Sequence, residues 1–363
     1  AYSLLGVTNS VFVARADVDL DQLEPSTSEP GAEPTDGAWW VNTATTTFGV
    51  QEWNGAPATT TGGQRFSYKA PIVLTDDDTS RISSNAPKGS VGAIGDYAVV
   101  FETGTTLKEN AKLFYKSAGS GLGAGVDAGT WVKVGSADWI ASHPTVQGEV
   151  ITETLTSGQN FKINGTTIAI PGAETLDSLV SAIGTTITGV YAKNVSGALY
   201  LYSDGTGITE DSSSGGVIQI EEGDTPGALD DLGIAVGSYY PPALQQTPHT
   251  RVPTWKSTGN TPRPTGSIWI KTTEPNQGAR WRVSQWNSAI QSWVPFDAPI
   301  YQSTHASLYY LDRSGGGANL TVDSLFVQTN ADVPFGEDSA ETVKGTADFR
   351  IWRRSSIGET AIT

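Results

Sequence analysis

Short runs of alternating apolar and polar residues dominate the chain, and they predict β-strands joined by turns. Residues 161–170 alternate on both sides of Asn164-Gly165, the residue pair that best fits a two-residue hairpin turn. Near the carboxyl end, residues 347–354 alternate the apolar Phe349 and Ile351 with charged residues, which is typical of a strand buried on one face. The pattern therefore predicts a β-rich protein.

A helical pattern stands out within residues 145–240. The apolar residues whose spacing places them on one helical face are Leu176, Leu179, Val180 and Ile183. Thr175 is placed to cap this helix and Gly184 to stop it. Further strands are predicted at 190–192, 198–202 and 216–220, and a short helix at 228–233. With the hairpin before them, these elements give the order ββαβββ.

This ββαβββ stretch resembles a module found repeatedly in flagellar hook-associated proteins and phage surface proteins. The resemblance is carried by Ile163-Asn164-Gly165, by the helix that follows, and by Leu232-Gly233 near the end. It covers about a quarter of the chain. We therefore expect residues 145–240 to form an insertion domain.

Two parts of the chain repeat each other. The first copy comprises residues 37–43 and 48–54, and the second comprises residues 266–272 and 281–287. In both copies an aromatic residue is followed by Val and then by Trp-Asn at the same offsets. A looser third version comprises residues 95–101, 113–116 and 129–134. We interpret all of these as β-hairpin or meander modules in which aromatic side chains cover one face.

Composition and charge narrow the classes of partner. The net charge is −16, without a basic cluster, so phosphate backbones and anionic membranes would be repelled, and nucleic acid and lipid are not expected. Cys is absent, which excludes disulfides, a thiol nucleophile and thiolate metal sites. No apolar run approaches the roughly 20 residues needed to cross a bilayer. Met is absent too, and we expect the chain to be a piece of a longer protein.

Histidine, the usual general base, is scarce. Of the three histidines, His143 and His249 stand next to proline and are predicted to lie in turns, and His305 lies in a polar run. No Gly-x-Ser-x-Gly motif accompanies them. Without Cys or a pair of histidines at helical spacing, zinc is not expected either. We predict no catalytic residue, no bound cofactor and no metal ligand, and therefore no enzyme.

The acidic clusters do not fit a metal-binding motif. Asp17, Asp19 and Asp21 begin like a calcium-binding loop, but Gln22 and Ser28 stand where the glycine and the bidentate glutamate are required. Residues 76–78 and 204–211 are predicted to be solvated turns; a weak surface cation there stays open. A glycosidase could use any two carboxylates, and nothing singles out a pair. The glycine-rich residues 119–125 precede a strand rather than a helix, so we expect a hairpin tip, not a phosphate-binding loop.

The 11 Trp residues allow two interpretations. Exposed indole rings could stack against sugars and form a glycan-binding surface. Their periodic positions instead favour cross-strand aromatic pairs that pack small hairpin modules. We favour packing and keep glycan binding as the alternative.

Two segments near the chain ends resemble contractile tail sheath proteins of myovirus-type phages, particularly the giant-phage branch. They are residues 1–20, which end in Val-Ala-Arg-Ala-Asp-Val-Asp-Leu, and residues 346–354, Thr-Ala-Asp-Phe-Arg-Ile-Trp-Arg-Arg. In that family, a helix followed by a strand ending in Arg-Ala-Asp belongs to an inner domain from which variable insertions protrude. The resemblance implies an α+β, β-rich, multidomain protein.

The resemblance also implies a domain organisation. An inner α/β-type domain would form from residues 1–25 and 300–363. The aromatic β-hairpin modules would occupy residues 36–144 and 245–299, and the insertion domain residues 145–240. The acidic, proline-rich residues 22–36 would be an extended connector.

The function implied by the resemblance is mechanical. Sheath subunits assemble in hexameric rings around the tail tube in the virion tail, and they rearrange on contraction to drive the tube through the host envelope. The implied partners are other sheath subunits, the tail tube protein and the baseplate. The chain lacks the long terminal parts that link subunits in that family, so we expect this fragment to be monomeric. The alternatives are a phage fibre or adhesin that binds glycans and, third, a polysaccharide hydrolase.

Overall fold

The computed structural model describes residues 23–31, 39–55, 65–102, 111–117, 129–151, 154–170, 172, 175–203, 216–242, 244–249, 265–271, 278–301, 310–311, 321, 324–329 and 347–353. The predicted β-rich class is confirmed, with 50% strand against 11% helix. Residues 1–20, the first of the two segments that resemble sheath proteins, lie outside the described residues.

The strands described here are numbered in chain order. They are β1 (Leu23–Ser26), β2 (Trp39–Asn42), β3 (Val50–Asn54), β4 (Arg65–Tyr68), β5 (Ile72–Thr75), β6 (Ile82–Ser83), β7 (Ala86–Pro87), β8 (Tyr97–Phe101), β9 (Ala111–Ser117), β10 (Thr130–Lys133), β11 (Val146–Val150), β12 (Asn160–Ile163), β13 (Thr166–Ala169), β14 (Val190–Val195), β15 (Ala198–Ser203), β16 (Ile218–Glu222), β17 (Gly237–Tyr239), β18 (Leu244–His249), β19 (Ile268–Lys271), β20 (Arg280–Asn287), β21 (Ser292–Tyr301), β22 (Leu325–Thr329) and β23 (Asp348–Arg353). The longer helices are α1 (Ala137–Ser142), α2 (Leu176–Thr186) and α3 (Ala228–Leu232).

The largest sheet joins strands from distant parts of the chain. Its order is β1-β2-β20-β21-β22-β23-β9-β8-β5, and β10 also pairs with β9. A second sheet has the order β18-β19-β3-β4. The predicted meander in residues 95–134 is confirmed as β8, β9 and β10. The connector predicted in residues 22–36 includes β1, an edge strand that contains Pro25, which is where a proline can be accommodated in a sheet.

The two sequence repeats exchange strands instead of closing on themselves. β2 of the first copy pairs with β20 of the second, and β19 of the second copy pairs with β3 of the first. The prediction that each copy forms its own hairpin was therefore wrong. Because the two copies have similar sequences, the residue pattern fits pairing within a copy and between copies equally well, and only the tertiary structure decides.

Both exchanged pairs use the same register. Trp39 lies opposite Gln285, and Ile268 lies opposite Glu52. In the sequence repeat, Trp39 corresponds to Ile268 and Gln285 corresponds to Glu52. The flanking strands extend this agreement, because β1 pairs in parallel with β2 and β18 pairs in parallel with β19. Leu23 lies opposite Trp39, and Leu244 lies opposite Ile268, the counterpart of Trp39.

The equivalence continues into strands with little sequence similarity. β5 pairs in parallel with β8, and the end of β21 pairs in parallel with β22. Val73 lies opposite Val99, as Ile300 lies opposite Val327. We call β1–β5 with β8 and β9 the first repeat, and β18–β23 the second repeat.

The repeats meet at positions that are equivalent to each other. Ala111 of β9 lies opposite Phe349 of β23, and Thr47 forms an isolated bridge with Arg280. Counted along the matched strands, Ala111 corresponds to Phe349 and Thr47 to Arg280. A position that pairs with its own counterpart marks a two-fold relation. The two repeats are therefore related by an internal pseudo-two-fold axis, and we call them together the two-repeat core.

Aromatic side chains fill the interior next to this axis. Phe48 and Trp281 occupy equivalent positions, are 2% and 0% exposed, and have ring centroids 5.8 Å apart. Phe349 is fully buried and contacts both rings, at 6.3 Å and 5.8 Å. Phe101 packs edge-on against Phe48. One apolar cluster thus contains side chains from both repeats.

Residues 146–239 form separate sheets, and we call them the inserted unit. Their strands form the sheets β11-β15-β14 and β13-β12-β16-β17. A second apolar cluster consists of side chains from the inserted unit. Asn164 and Gly165 both have positive φ angles, 50° and 74°, which confirms the predicted hairpin turn.

The helices of the inserted unit follow the predicted pattern, with one exception. Thr175 caps α2 through its hydroxyl, and Leu176, Leu179 and Ile183 are buried. Gly184 does not stop the helix, because α2 continues to Thr186. At 11 residues, α2 is the longest described helix, and no helix among the described residues has the length and apolar character to cross a membrane.

The described strands of residues 300–363 do not stand apart from the aromatic modules. β22 and β23 lie in the same sheet as β8 and β9, and their buried side chains belong to the same apolar cluster. Strands from both of these predicted regions thus share one sheet and one apolar cluster. The alternation in residues 347–354 predicts a strand but carries no information about its neighbours.

Replacing Phe349 by alanine should destabilise the protein by about 3–5 kcal/mol, because it opens a cavity where the two repeats meet. Urea denaturation of the two proteins measures this difference. Ile290→Ala is the control, since Ile290 is 62% exposed and should change the free energy of unfolding by less than about 0.5 kcal/mol. Equal effects of the two substitutions would contradict the shared core.

Candidate functional site

A partly buried polar cluster surrounds the Glu52 side chain in β3. Register places Glu52 on the core side of its sheet, where its carboxylate accepts a hydrogen bond from the Tyr97 hydroxyl of β8. The Lys69 ammonium, just after β4, lies 2.9 Å from Glu52 Oε1. His143 Nε2 lies 3.8 Å from Glu52 Oε2, which is a close approach but longer than a direct hydrogen bond.

His143 reaches this cluster from the end of α1. Ser136 caps the start of this helix, and the His143 backbone N–H donates to Trp139 O at its end. The imidazole ring is 2% exposed and stacks on Tyr115 with ring centroids 4.4 Å apart. The predicted turn position is thus a helix end, and the prediction did not include the burial of this ring.

Gly266 allows the His143 ring to fit. It has a φ of +77°, and a Cβ atom there would lie 1.8 Å from His143 Cε1. The imidazole therefore stacks on the Tyr115 ring and lies close to the Gly266 backbone. This close approach requires a residue without a side chain.

The surroundings of Glu52 favour its ionised form. Burial alone would raise the pKa of this carboxyl, but the contact with His143, the charge of Lys69 and the Tyr97 hydroxyl outweigh it and lower the pKa from 4.5 to about 2. Burial, together with the negative charge of Glu52, raises the pKa of Tyr97 and of Tyr115 well above the ordinary value. Tyr97 therefore keeps its proton and remains a hydrogen-bond donor.

The second repeat has uncharged residues at the positions equivalent to the Glu52 cluster. Gln285 occupies the position of Glu52, and the registers place Leu325 at the position of Tyr97 and Phe296 at that of Lys69. Leu325 is buried, and Phe296 packs against the core. An uncharged version of the same place thus supports the same strand pairing. The charged cluster is an added property of the first repeat.

Two more ion pairs lie where β8, β9, β10 and β23 meet. Lys112 contacts Glu102, whose side chain is 1% exposed, and Lys133 lies 2.7 Å from Asp348. Asp348 lies directly opposite Lys112 across β9 and β23. Each buried acid has a cation close to it, which is the condition for burying such charges. These pairs join strands, and no nucleophile with an adjacent base is found among them.

Lys116 is buried without a carboxylate at its ammonium group. It is 3% exposed. Its Nζ donates to the carbonyl oxygens of Gly89, Val91 and Gly92 at 2.6, 2.9 and 2.8 Å, and lies 5.9 Å from the centroid of Trp131. Three carbonyl acceptors and an aromatic face satisfy the ammonium group. Lys116 thus holds the loop before β8 onto the sheet.

The remaining predicted candidates do not converge on one place. His249 lies in β18 instead of a turn, and His305 is outside the described residues. Asp78 Oδ1 accepts hydrogen bonds from the backbone N–H groups of Ser80 and Arg81, so it stabilises its own turn. Asp17, Asp19, Asp21, residues 204–211 and residues 119–125 all lie outside the described residues. Within the described part of the chain, no three His, Asp or Glu side chains are close enough to bind a metal ion together.

Two equivalent triads of aromatic side chains lie at the strand pairs β3–β4 and β20–β21, each of which contains a Trp-Asn sequence. Phe66 packs between Trp53 and Trp269, with ring centroids 5.3 Å from each. In the second repeat, Trp293 packs between Trp286 and Trp40, at 5.6 and 5.8 Å. In each triad two rings come from one repeat and the third from the other repeat.

The geometry of the triads favours packing over sugar binding. Trp40 and Trp269 are 8% and 3% exposed. The rings within each triad are tilted by 59° to 69° relative to each other, which is typical of aromatic packing. A flat, open platform for a sugar ring is therefore not formed by these six side chains.

Sequence reasoning did not bring the Glu52 cluster together; of its members, only His143 was considered, as a turn residue. One signal for it was present: the two copies match closely, yet Glu52 stands where the second copy has Gln285. Tyr97, Lys69 and His143 could not be assigned to the same place, because their proximity depends on strand pairing between the repeats. Comparisons of the chain with protein families, curated proteins and solved structures found no match.

Gly266→Ala should lower the free energy of unfolding by about 3 kcal/mol or more, because the positive φ is strained for alanine and the new Cβ displaces the His143 ring. Urea denaturation measures the loss. Gly184→Ala is the matched control. A Cβ at Gly184 would meet no other atom within 4 Å, so this helical substitution should stabilise by about 0.5–1 kcal/mol. A neutral Gly266→Ala would contradict the described packing of His143.

Glu52 should make stability depend on pH in the acid range. Its folded-state pKa of about 2 lies below the ordinary 4.5, so the stabilisation from its ionised form is complete above pH 4.5 and disappears as the pH falls towards 2. Near neutral pH, the free energy of unfolding of the wild type should therefore exceed that of Glu52→Gln by up to roughly 3 kcal/mol. Urea denaturation at a series of pH values measures the gap. A gap that stays constant down to pH 2 would contradict the assignment.

Proposed function

We propose that this chain is a structural subunit of a contractile phage tail sheath. In this role it assembles with other sheath subunits in rings around the tail tube. As part of the full-length protein, it contacts the tail tube protein and the baseplate. It acts by rearranging its contacts with neighbouring subunits and not by catalysis. The proposal originates in the resemblance of residues 1–20 and 346–354 to that family.

The observation that carries the proposal is the position of the second resembling segment. Residues 348–353 form β23, which lies at the junction of the two repeats. Phe349 and Ile351 are fully buried there. A segment with this position determines the fold around it, so a resemblance in this segment bears on the whole two-repeat core.

The use of polar groups also supports a structural role. Among the described residues, Glu52, Glu102, Lys116 and Asp348 are all engaged in contacts that hold strands or loops together. The buried charges are thus used inside the fold. The net charge of −16 is compatible with assembly on other proteins and disfavours nucleic acid as a partner.

Antibody raised against this chain and detected with gold particles should label the phage particle along the full length of its tail. The labelled region should shorten when the tail contracts, because sheath subunits move with the contracting lattice. Electron microscopy of extended and contracted particles measures both the position and the length of the labelled region.

Antibody absorbed beforehand with the purified chain serves as the control and should label nothing. Gold confined to the tail tip or to fibres would overturn the sheath proposal and would favour the adhesin instead. Gold along a tail whose labelled length stays constant on contraction would assign the chain to the tube rather than to the sheath.

A further inference from the structure

The inserted unit joins the two-repeat core through a short segment that ends at the Glu52 cluster. The chain runs from β10 into α1, and then through His143, Pro144 and Thr145 into β11. His143 belongs to the core by its contacts with Tyr115 and Glu52. Thr145 is bound to the inserted unit, since its N–H donates to Leu201 O of β15 at 2.8 Å. The entry to the inserted unit is therefore two residues from the charged cluster.

Further hydrogen bonds tie this entry to both bodies. The Ser117 hydroxyl of β9 donates to Ser142 O at 2.7 Å, and both residues are buried. On the other side, the Ser203 N–H donates to the Thr145 hydroxyl oxygen at 3.4 Å. The return connection contains Pro241 and Pro242, both buried, and proline restricts the backbone.

The equivalent position in the second repeat can be compared with Glu52. The position of Glu52 in the second repeat holds Gln285. The carboxylate is thus present in the repeat from which the chain enters the inserted unit, and an amide replaces it at the equivalent position of the other repeat. Burying a carboxylate costs solvation free energy, and such groups can be retained because they select one geometry among several similar ones.

We propose that Glu52 and His143 form a latch that holds the inserted unit in one orientation relative to the two-repeat core. The Glu52 carboxylate, held by Tyr97 and Lys69, lies 3.8 Å from His143 Nε2. The Tyr115 ring stacks on the imidazole, and the Gly266 backbone approaches it closely, so the ring has one position. With the ring held, the chain enters β11 in one direction. This inference concerns the chain itself and does not depend on the sheath proposal.

The absence of Cys from the chain makes the latch directly testable. Cysteines introduced by Ser181→Cys on the exposed face of α2 and Ile290→Cys at the tip of the β20–β21 hairpin accept spin labels without any competing thiol. Pulsed electron spin resonance then gives the distribution of distances between the inserted unit and the core. With Glu52 present, the distribution should be single and narrow.

Glu52→Gln removes the charge with little change in shape, and His143→Ala removes the confined ring. Each should broaden the distance distribution by about twofold or more, because the orientation of the inserted unit is no longer selected. Gln285→Leu is the matched control at the equivalent position of the second repeat, and it should leave the distribution narrow. Circular dichroism identifies which variants retain the fold.

A second measurement, hydrogen exchange, tests the latch in the protein without spin labels. Hydrogen exchange at the backbone amides of His143 and Thr145 should accelerate in Glu52→Gln and stay unchanged in Gln285→Leu. A narrow distribution in either folded variant would overturn the proposal, as would a broad one in the presence of Glu52. Broadening in Gln285→Leu would also overturn it, because the effect would then come from general loosening of the core.

Discussion

The architecture depends on reciprocal strand pairing between two similar segments of one chain. β2 and β19 each leave their own repeat and complete the sheet of the other. The aromatic cluster of Phe48, Trp281 and Phe349 forms only once this exchange has been made, because its members come from both repeats. Neither repeat encloses the core by itself, and the pairing and the packing therefore stabilise each other.

The pseudo-two-fold relation also separates what the fold requires from what has been added to it. Positions where both repeats are apolar, such as Val50 and Val283, serve the common core. Positions that differ in charge, such as Glu52 and Gln285, distinguish the repeats. The added charge lies beside the entry to the inserted unit, two residues before the chain pairs with β15.

Local patterns predicted the local elements and failed where pairing is between distant residues. The Asn164-Gly165 turn and the cap at Thr175 were recognisable because each depends on a few neighbouring residues. Gly184 was misjudged because the contacts of α2 with neighbouring strands outweigh the weak helix propensity of one glycine. The strand exchange had no local signal, since the repeats present the same pattern to either partner.

The long separation in sequence between pairing strands also affects how the chain folds as it is synthesised. β2 can pair with β1 at once, but it has to wait for its antiparallel partner β20, which is made after the whole inserted unit. The inserted unit, by contrast, pairs its strands within residues 146–239 and can close early. Contacts between distant segments form slowly because a long loop must close first. The inserted unit is thus expected to fold ahead of the core that flanks it, and the apolar first repeat spends that interval exposed to aggregation.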